Sequence, residues 1–321
     1  MKNFKVVVIS PGLSGAGLIS DYLINRKDFI RPFNLESEFR LLHDPGGIHN
    51  LYCGLYENFS INNSAYFVSE FERYIAKLKN LSVKRNSKKK YLYNSFFFTE
   101  VEKYLKDISL VKYYGLPEFF RLGFNLQDKL KWRILRINKK SQEVKFCKMV
   151  IPVEKKIFIK KTKTFLNKVL YILTGEKKKN YVLDQGGNFW DPIKSTQYLD
   201  RRKIILVTRD PRSIFSSMKT RKSLAYPGHN IKTFCDWYTI IMKDYNKIKE
   251  SNILIKIKYE KFINDYDIQS HKLCKFLSIK KIPKSDYNID ISKNNLYKAK
   301  NNLTRTELNY ISKKLKKFLQ W

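Results

Sequence analysis

The stretch VVVISPGLSGAGLISDYL, Val6 to Leu23, decides how the chain is read. Its first four residues are apolar and β-branched, as a buried strand requires, and Ser10-Pro11 ends the run. Gly12, Gly15 and Gly17 follow, and from Gly17 onward apolar residues recur at helical spacing. A strand that turns through glycines into a helix leaves backbone N–H groups at the positive end of that helix, where an anion is well accommodated. The same turn also arises for steric reasons alone, because glycine permits close approach and a positive φ. No cation lies between Ser10 and Asp21, and the G-K-[ST] of a nucleotide triphosphate loop is absent. The lysine that holds β/γ-phosphates and the hydroxyl that holds magnesium are therefore both missing, and an anion bound here is expected to be held without a metal.

The alternation recurs along the chain. Strand-like runs at Lys5–Ser10, Tyr181–Asp184, Lys203–Thr208 and Ile253–Lys258 are each followed by a segment that reads as helix. This predicts an α/β fold, a parallel β-sheet flanked by helices. Helical periodicity marks Gly17–Arg26, Ser64–Lys79, Phe97–Leu110, Leu116–Arg136, Pro211–Thr220, Ile231–Glu250 and Thr304–Leu319. Residues from about 60 to 175 are thus mostly helical, and they read as an insertion in one α/β domain spanning 1–321, building a lid or an acceptor surface.

The 321 residues carry 64 Lys and Arg against 29 Asp and Glu, a net charge of +35. Such a balance attracts phosphates, sulfates, anionic glycans, nucleic acid and acidic lipid. The chain is also crowded with Asn, Ile, Tyr and Phe, the composition that AT-rich codons produce, so only cations at defined places carry a functional argument. No helix-turn-helix, RNA-recognition or zinc pattern accompanies the charge, and specific nucleic-acid binding is not expected. Two basic stretches lie in the insertion. VKRNSKKKY, Val83 to Tyr91, reads as a solvated loop; KKIFIKKTKTFLNKVLYILTGEKKK, Lys155 to Lys179, reads as a basic amphipathic helix. That helix either presents a lysine-rich outer face or makes weak contact with anionic lipid or a polyanionic acceptor.

Hydrophobic residues make up 43% of the chain, enough for a sizeable core. Cys53, Cys147, Cys235 and Cys274 lie far apart with no CxxC pair, which argues against a zinc site or a disulfide framework and fits a reducing compartment. The first strand leaves no room for a signal peptide, and no apolar run is long enough to span a bilayer. A cytoplasmic location is the expectation.

The second informative stretch is RKIILVTRDPRSIFSSMKTRKS, Arg202 to Ser223. The apolar strand Ile204–Val207 leads to Arg209 at its carboxyl edge, and Pro211 opens a helix with Ser213, Ser216 and Ser217 in its first two turns. An arginine at a strand end with a serine on the next helix grips one phosphate between a fork of donors and a hydroxyl. The competing arrangement pairs Arg209 with Asp210 or another carboxylate.

Together the two stretches resemble the sulfotransferases that use 3′-phosphoadenosine 5′-phosphosulfate (PAPS). In that family a loop written R/K-S-G-T-T binds the 5′-phosphosulfate, and a strand ending in R-[DN]-P-x-x-x-x-x-S binds the 3′-phosphate. Here Ser14-Gly15-Ala16-Gly17 stands for the first, and Arg209-Asp210-Pro211 with Ser217 for the second. Lys258-Tyr259-Glu260-Lys261-Phe262 is similar to the family's r-Y-E-d-L segment, and the run from Leu303-Thr304 through Glu307 to Ile311 resembles its closing L-t-x-x-E helix. Ser292-Lys293-Asn294-Asn295 lies where many members close a small basic loop over the nucleotide. The resemblance covers about residues 4–45 and 180–320. It implies transfer of a sulfuryl group from PAPS to a hydroxyl or amine acceptor, a carbohydrate or small metabolite, with release of the bisphosphate PAP. It implies donor contacts from Gly12, Leu13, Ser14, Gly15, Ala16, Gly17, Arg209, Ser217, Ser292 and Lys293.

Three departures stand against the family pattern. Leu13 occupies the place of a Lys or Arg that stabilises the transferring group, and Arg40, Lys219 and Arg221 are candidates to replace it. Ala16 and Gly17 stand where the family has hydroxyls, so the loop relies on backbone N–H groups, helped by Ser14 or Ser20. DQGGNFWDP, Asp184 to Pro192, replaces an E-K-x-P segment; Gln185 or Asn188 contacts ligand there, or the segment is a plain strand-to-helix turn. A P-loop kinase and a non-catalytic polyanion-binding protein remain the alternatives, the former disfavoured by the absent G-K-[ST].

In-line transfer needs a base on the acceptor. Many carbohydrate sulfotransferases carry a K-E-x-h-f-F segment soon after the loop, with the Glu as base, and Ser37-Glu38-Phe39-Arg40-Leu41-Leu42 resembles it. Glu38 is the first candidate and His43, followed by Asp44, the second. A surface glutamate and a structural histidine explain the same residues.

Overall fold

Strand β1 (Lys5–Ile9) has no exposed residue, and its alternate side chains serve two cores. Val6 and Val8 pack with Ile205, Val207, Ile255 and Ile257 and with the helical residues Leu18, Ile19, Tyr22 and Phe262. Val7 and Ile9 are offset by one residue and so point to the opposite face, where the backbone of Gly186 and Gly187 approaches them. A strand apolar on both faces belongs in a sheet covered by helices on both sides.

The structure, a computed structural model of the chain, describes residues 3–32, 38–84, 94–122, 125–137, 147–222, 224–280, 289–293 and 295–320. The chain divides into two compact units, one of Met1–Phe39 with Glu176–Trp321, the other of Arg40–Gly175. The first unit opens with β1, α1 (Ala16–Ile24) and β2 (Phe29–Ile30). The second supplies α2 (Ile48–Tyr52), a π-helical turn (Cys53–Glu57), α3 (Ile61–Lys84), α4 (Ser95–Asp107), β3 (Ser109–Gly115), α5 (Glu118–Leu122), α6 (Leu126–Ile137), β4 (Cys147–Pro152) and α7 (Lys155–Thr174). The first unit resumes with β5 (Asn180–Asp184), α8 (Pro192–Ser195), β6 (Arg202–Thr208), α9 (Pro211–Thr220), α10 (Ile231–Lys247) and β7 (Leu254–Lys258). It closes with α11 (Tyr259–Asn264), α12 (Tyr266–Leu277), α13 (Asp290–Lys293), α14 (Lys298–Asn302), α15 (Arg305–Lys314) and a 3-10 turn (Lys316–Phe318).

The sheet of the first unit is parallel throughout, in the order β2-β5-β1-β6-β7. Val7 lies opposite Leu183 of β5 on one side and Ile204 of β6 on the other. The chain leaves β1 toward β2 and later crosses to β6, so the strand order reverses beside β1. In open α/β sheets a ligand crevice forms outside the carboxyl ends of the strands at such a point. The expected α/β architecture, with a largely helical insertion, is therefore the observed one. Strand β2 leaves no mark in the sequence pattern, because two residues are too few to show a period.

Helix α9 begins where it does because Asp210 caps it. The carboxylate accepts the Arg212 N–H at 2.9 Å, and Pro211 occupies the first turn, where a missing N–H costs nothing. The segment matched to L-t-x-x-E proves to be a capping box: Thr304 Oγ1 accepts the Glu307 N–H at 3.2 Å, and Glu307 Oε2 accepts the Thr304 N–H at 2.9 Å.

In the second unit the helical periodicity predicted through Leu110 ends at Asp107. Ser109–Gly115 is instead a strand, paired antiparallel with β4. Val111, Tyr113 and Tyr114 favour extended backbone, a preference that helical spacing alone did not weigh. The single helix predicted over Leu116–Arg136 is two helices, α5 and α6. Helix α7 buries Phe158, Phe165, Leu166, Val169 and Leu170. Tyr104 of α4 stacks on Phe165 with centroids 4.4 Å apart, and its hydroxyl meets Thr162 Oγ1 at 2.9 Å. The apolar face of this basic helix is thus taken up by its own unit, with Lys156 and Lys160 on the exposed side. The other basic stretch, 83–91, lies mostly outside the described residues. Among the described residues no helix is long and apolar enough to cross a membrane, and all four cysteines are free thiols.

Candidate functional site

The loop from β1 to α1 is shaped by two glycines in the left-handed region. Gly12 has φ +52 and Gly15 φ +86; a Cβ on Gly12 would lie 2.4 Å from the Tyr226 ring, and one on Gly15 2.2 Å from the Tyr259 ring. Leu13 between them has φ +49, a conformation costly for a branched side chain. Ser14 is fully buried, and its hydroxyl donates to the carbonyls of Pro11 at 3.0 Å and Gly12 at 2.9 Å. It fastens the loop to itself. Gly15 is the N-cap of α1 and brings no side-chain cap, while a Cβ on Gly17 would meet nothing within 4 Å. The helix start is therefore open on that side to an anion. The Ser20 hydroxyl is buried with no hydrogen-bond partner among the described residues and does not line the cavity described next.

These positions give a paired expectation. Gly15→Ala meets both a ring and a disfavoured φ, and should destabilise the fold by roughly 1–3 kcal/mol or more. Gly17→Ala, in a helical turn with free space, should stay within about 1 kcal/mol of the parent. Urea unfolding of both decides; equal stabilities would mean the loop is not held against Tyr259.

At the carboxyl edge of the sheet the first unit contains a cavity of about 830 Å³, within the size range of small-ligand sites. Leu13, Ser14, Gly15, Ala16 and Gly17 line it, as do Arg209, Ser217 and Ser292, so the two stretches singled out in the sequence meet on one surface. Gly12 and Lys293 are not among the lining residues; Gly12 turns the loop beneath Tyr226, and Lys293 is exposed. Asn294 lies outside the described residues.

Arg209 is 6% exposed. Asp210 does not pair with it, because the Asp210 carboxylate is held by the Arg212 guanidinium at 2.9 and 2.8 Å and by the Gln320 N–H at 2.8 Å. Arg209 instead lies over the Tyr259 ring at 4.6 Å, donates to the Asn295 carbonyl at 2.7 Å, and reaches Ser217 Oγ at 3.5 Å. Its Nε is 3.9 Å from Glu260 Oε1, too far for a hydrogen bond, and stays buried without one. Burial pushes the Glu260 carboxyl up to about 7, against the opposing N–H donors and Arg209. Near neutral pH that carboxyl is only partly ionised, so it only partly offsets the arginine. A cation in the cavity wall with spare donor capacity suits an anionic group.

Part of the wall is acidic. Glu38 lines the cavity, half-buried, and the Phe39 N–H donates to the Asp184 carbonyl at 2.9 Å, tying this segment to the end of β5. Asp184 and Asp21 also line it. Burial raises the Asp184 carboxyl to about 6; Arg31 works against that rise, while Glu38 and Asp21 add to it. Arg31 is itself bound to Asp21 at 2.8 Å. His43 belongs to the second unit and does not line the cavity. Burial, then Arg40, then His49 lower its pKa to about 4, so it is a neutral imidazole at physiological pH.

Of the three cations considered as substitutes at Leu13, Arg221 lines the cavity. Lys219 is held by Glu307 at 2.7 Å, and Arg40, in the second unit, lies 3.7 Å from Asp44. Gln185 bridges strand ends, its carbonyl accepting the Ser10 N–H at 3.1 Å and its amide donating to Ser10 Oγ at 2.8 Å, and it lines the cavity. Asn188 does not; its side chain accepts the Trp190 N–H at 2.9 Å within the turn.

No protein-family model matches the chain, and no curated protein matches it in sequence. Several solved structures are similar to it at low identity. A sulfotransferase domain from the curacin biosynthetic pathway is 13% identical over 98% of this chain and 98% of its own, with a TM-score of 0.41. The sulfotransferase domain of the Synechococcus PCC 7002 olefin synthase is 12% identical over 90% of this chain and 78% of its own, with a TM-score of 0.41. Sulfotransferase STF9 from Mycobacterium avium is 9% identical over 98% of this chain and 76% of its own, with a TM-score of 0.40. A likeness of that size identifies neither a ligand nor a reaction.

Several wall residues escaped the sequence reading. Asp184 ends a strand at the carboxyl edge, which is itself a signal that it faces a crevice. Lys298, Asn301 and Asn302 carried no signal; they reach the cavity because α14 packs on α9, where Asn302 donates to Ser216 Oγ at 3.2 Å. Among the described residues no group of three or more His, Cys, Asp or Glu is placed to hold a metal ion.

Proposed function

We propose that this chain is a PAPS-dependent sulfotransferase, acting on a hydroxyl or amine of a carbohydrate or small metabolite, with residues 1–321 forming one sulfotransferase-like domain. The observation that carries the reading is the convergence of two anion-binding arrangements on one cavity: the open start of α1 behind the glycine loop, and buried Arg209 with Ser217. A nucleotide with phosphates at both its 3′ and 5′ positions asks for that pair. In this reading Arg209 and Ser217 hold the 3′-phosphate, and the backbone N–H groups of the loop and α1 hold the 5′ group. Glu38 receives the acceptor proton as the acceptor atom bonds to sulfur and the bond from sulfur to the phosphate oxygen breaks. Adenosine 3′,5′-bisphosphate leaves. Arg221 supplies the positive charge that Leu13 does not.

Calorimetric titration tests the binding half: adenosine 3′,5′-bisphosphate should bind without divalent metal, and more tightly than ATP or a single-stranded oligonucleotide. Preference for ATP or for the oligonucleotide would favour a kinase or a polyanion-binding protein instead. Transfer of labelled sulfate tests the cation. Because Arg221 is exposed and screened, Arg221→Ala should slow transfer by only about tenfold. Unchanged transfer would remove Arg221 from this role.

A further inference from the structure

The apolar residues of a surface helix normally face the core, yet α6 points three of its own at solvent. Leu126, Leu130 and Ile134, one helical turn apart, are 80%, 59% and 53% exposed. Among the α6 residues whose burial is described, 126–134, the half-buried ones are Asp128 and Trp132, which at helical spacing lie on the other side of the helix from Leu126, Leu130 and Ile134. The leucine and isoleucine stripe is therefore outward. Exposed cations flank it on both sides: Lys131 on one edge, Lys129 and Arg133 on the other. Just ahead of the helix, Leu122 at the end of α5 is 85% exposed as well.

We propose that α6 is a membrane-contact helix that lies on an anionic lipid surface. An apolar stripe of this width, edged by cations, matches the boundary between acyl chains and acidic headgroups, where the leucines enter the acyl region and the lysines and arginine meet the headgroups. A second copy of the chain fits less well, because two such stripes laid together would bring like charges against each other along both edges. This surface is distinct from α7, whose apolar side is buried in the core of the same unit, and it does not depend on the proposed sulfotransferase activity.

Co-sedimentation of the full chain with phosphatidylcholine vesicles, with and without phosphatidylglycerol, tests the assignment. The wild type should pellet with the anionic vesicles and about tenfold less with the neutral ones. The triple variant Leu126→Gln, Leu130→Gln, Ile134→Gln changes only exposed positions and should bind anionic vesicles about tenfold more weakly. Lys129→Gln with Lys131→Gln and Arg133→Gln should lose binding similarly, whereas Lys156→Gln with Lys160→Gln on α7 should not. Equal pelleting of the apolar variant and the wild type would overturn the proposal, as would an equal loss in the α7 variant, which would mark diffuse charge attraction. Concentration-dependent self-association of the wild type without vesicle binding, abolished in the apolar variant, would make the stripe an interface between copies and overturn it too.

Discussion

Glu38→Gln is expected to lower turnover by about 10²–10⁴-fold while leaving affinity for adenosine 3′,5′-bisphosphate nearly unchanged. The amide keeps the shape of the side chain but can neither take the proton nor carry the carboxylate's charge. The residue lines the cavity and is anchored by the bond from the Phe39 N–H to the Asp184 carbonyl, so the substitution should not displace the segment. Two other groups provide the contrast. His43→Ala should be the milder change, because a neutral, buried imidazole of the second unit with a pKa near 4 is a weak base. Asp184→Asn is the sharper rival, since a carboxyl raised to about 6 is better matched to proton transfer than an ordinary one. Transfer that survives Glu38→Gln and collapses in Asp184→Asn would reassign the base to the end of β5.

Arg209→Ala should weaken binding of the bisphosphate by roughly 1.5–3 kcal/mol, about 10–150-fold, the range for hydrogen bonds to a charged group. The arginine is also part of the buried packing over Tyr259, so Ser217→Ala is a useful second variant; it should fold normally and lose less. Equal affinities in wild type and both variants would refute the clamp. The pH dependence adds an independent reading. Glu260, raised to about 7, is neutral below that pH and ionised above it, so the charge that Arg209 offers an anion is largest on the acid side. Relative to Glu260→Gln, wild-type affinity should therefore fall as pH rises through about 7. The same group makes the folded state hold a proton that the unfolded chain has already released between the ordinary carboxylate range and about pH 7. Its contribution to stability therefore declines as pH rises across that window.

What could be read directly was local. The continuous β-branched run Val6–Ile9, the glycines behind it, the strand-to-helix alternation and the Pro211 helix start are each written in a few adjacent residues, because strand burial, turn φ and helix starts are set within one or two turns of chain. These features were enough to predict a parallel sheet covered by helices. They failed where two local preferences compete, as at Ser109 and Leu110, which a helical spacing takes into α4 but which open the extended strand that Val111, Tyr113 and Tyr114 continue.

The membership of the cavity was decided elsewhere. Strand order β2-β5-β1-β6-β7 brings the end of β5 beside the loop after β1, which is why Asp184 and Gln185 join a wall first noticed for its glycines. Packing of α14 on α9 brings Lys298, Asn301 and Asn302 to the same wall. Which carboxylate neutralises which arginine was likewise a tertiary matter: the sequence offered Asp210 as the neighbour of Arg209, but the α9 cap and Arg212 occupy it, and Glu260, distant in the chain, comes within 3.9 Å of Arg209 instead. By itself, then, the sequence determined the strand-to-helix turns and the residue types that stand at their ends, since those depend on nearest neighbours. Only the tertiary structure decided which of them share a surface, how deeply each charge is buried and so which proton each holds, because burial and Coulomb interactions depend on distance in space and not on distance along the chain.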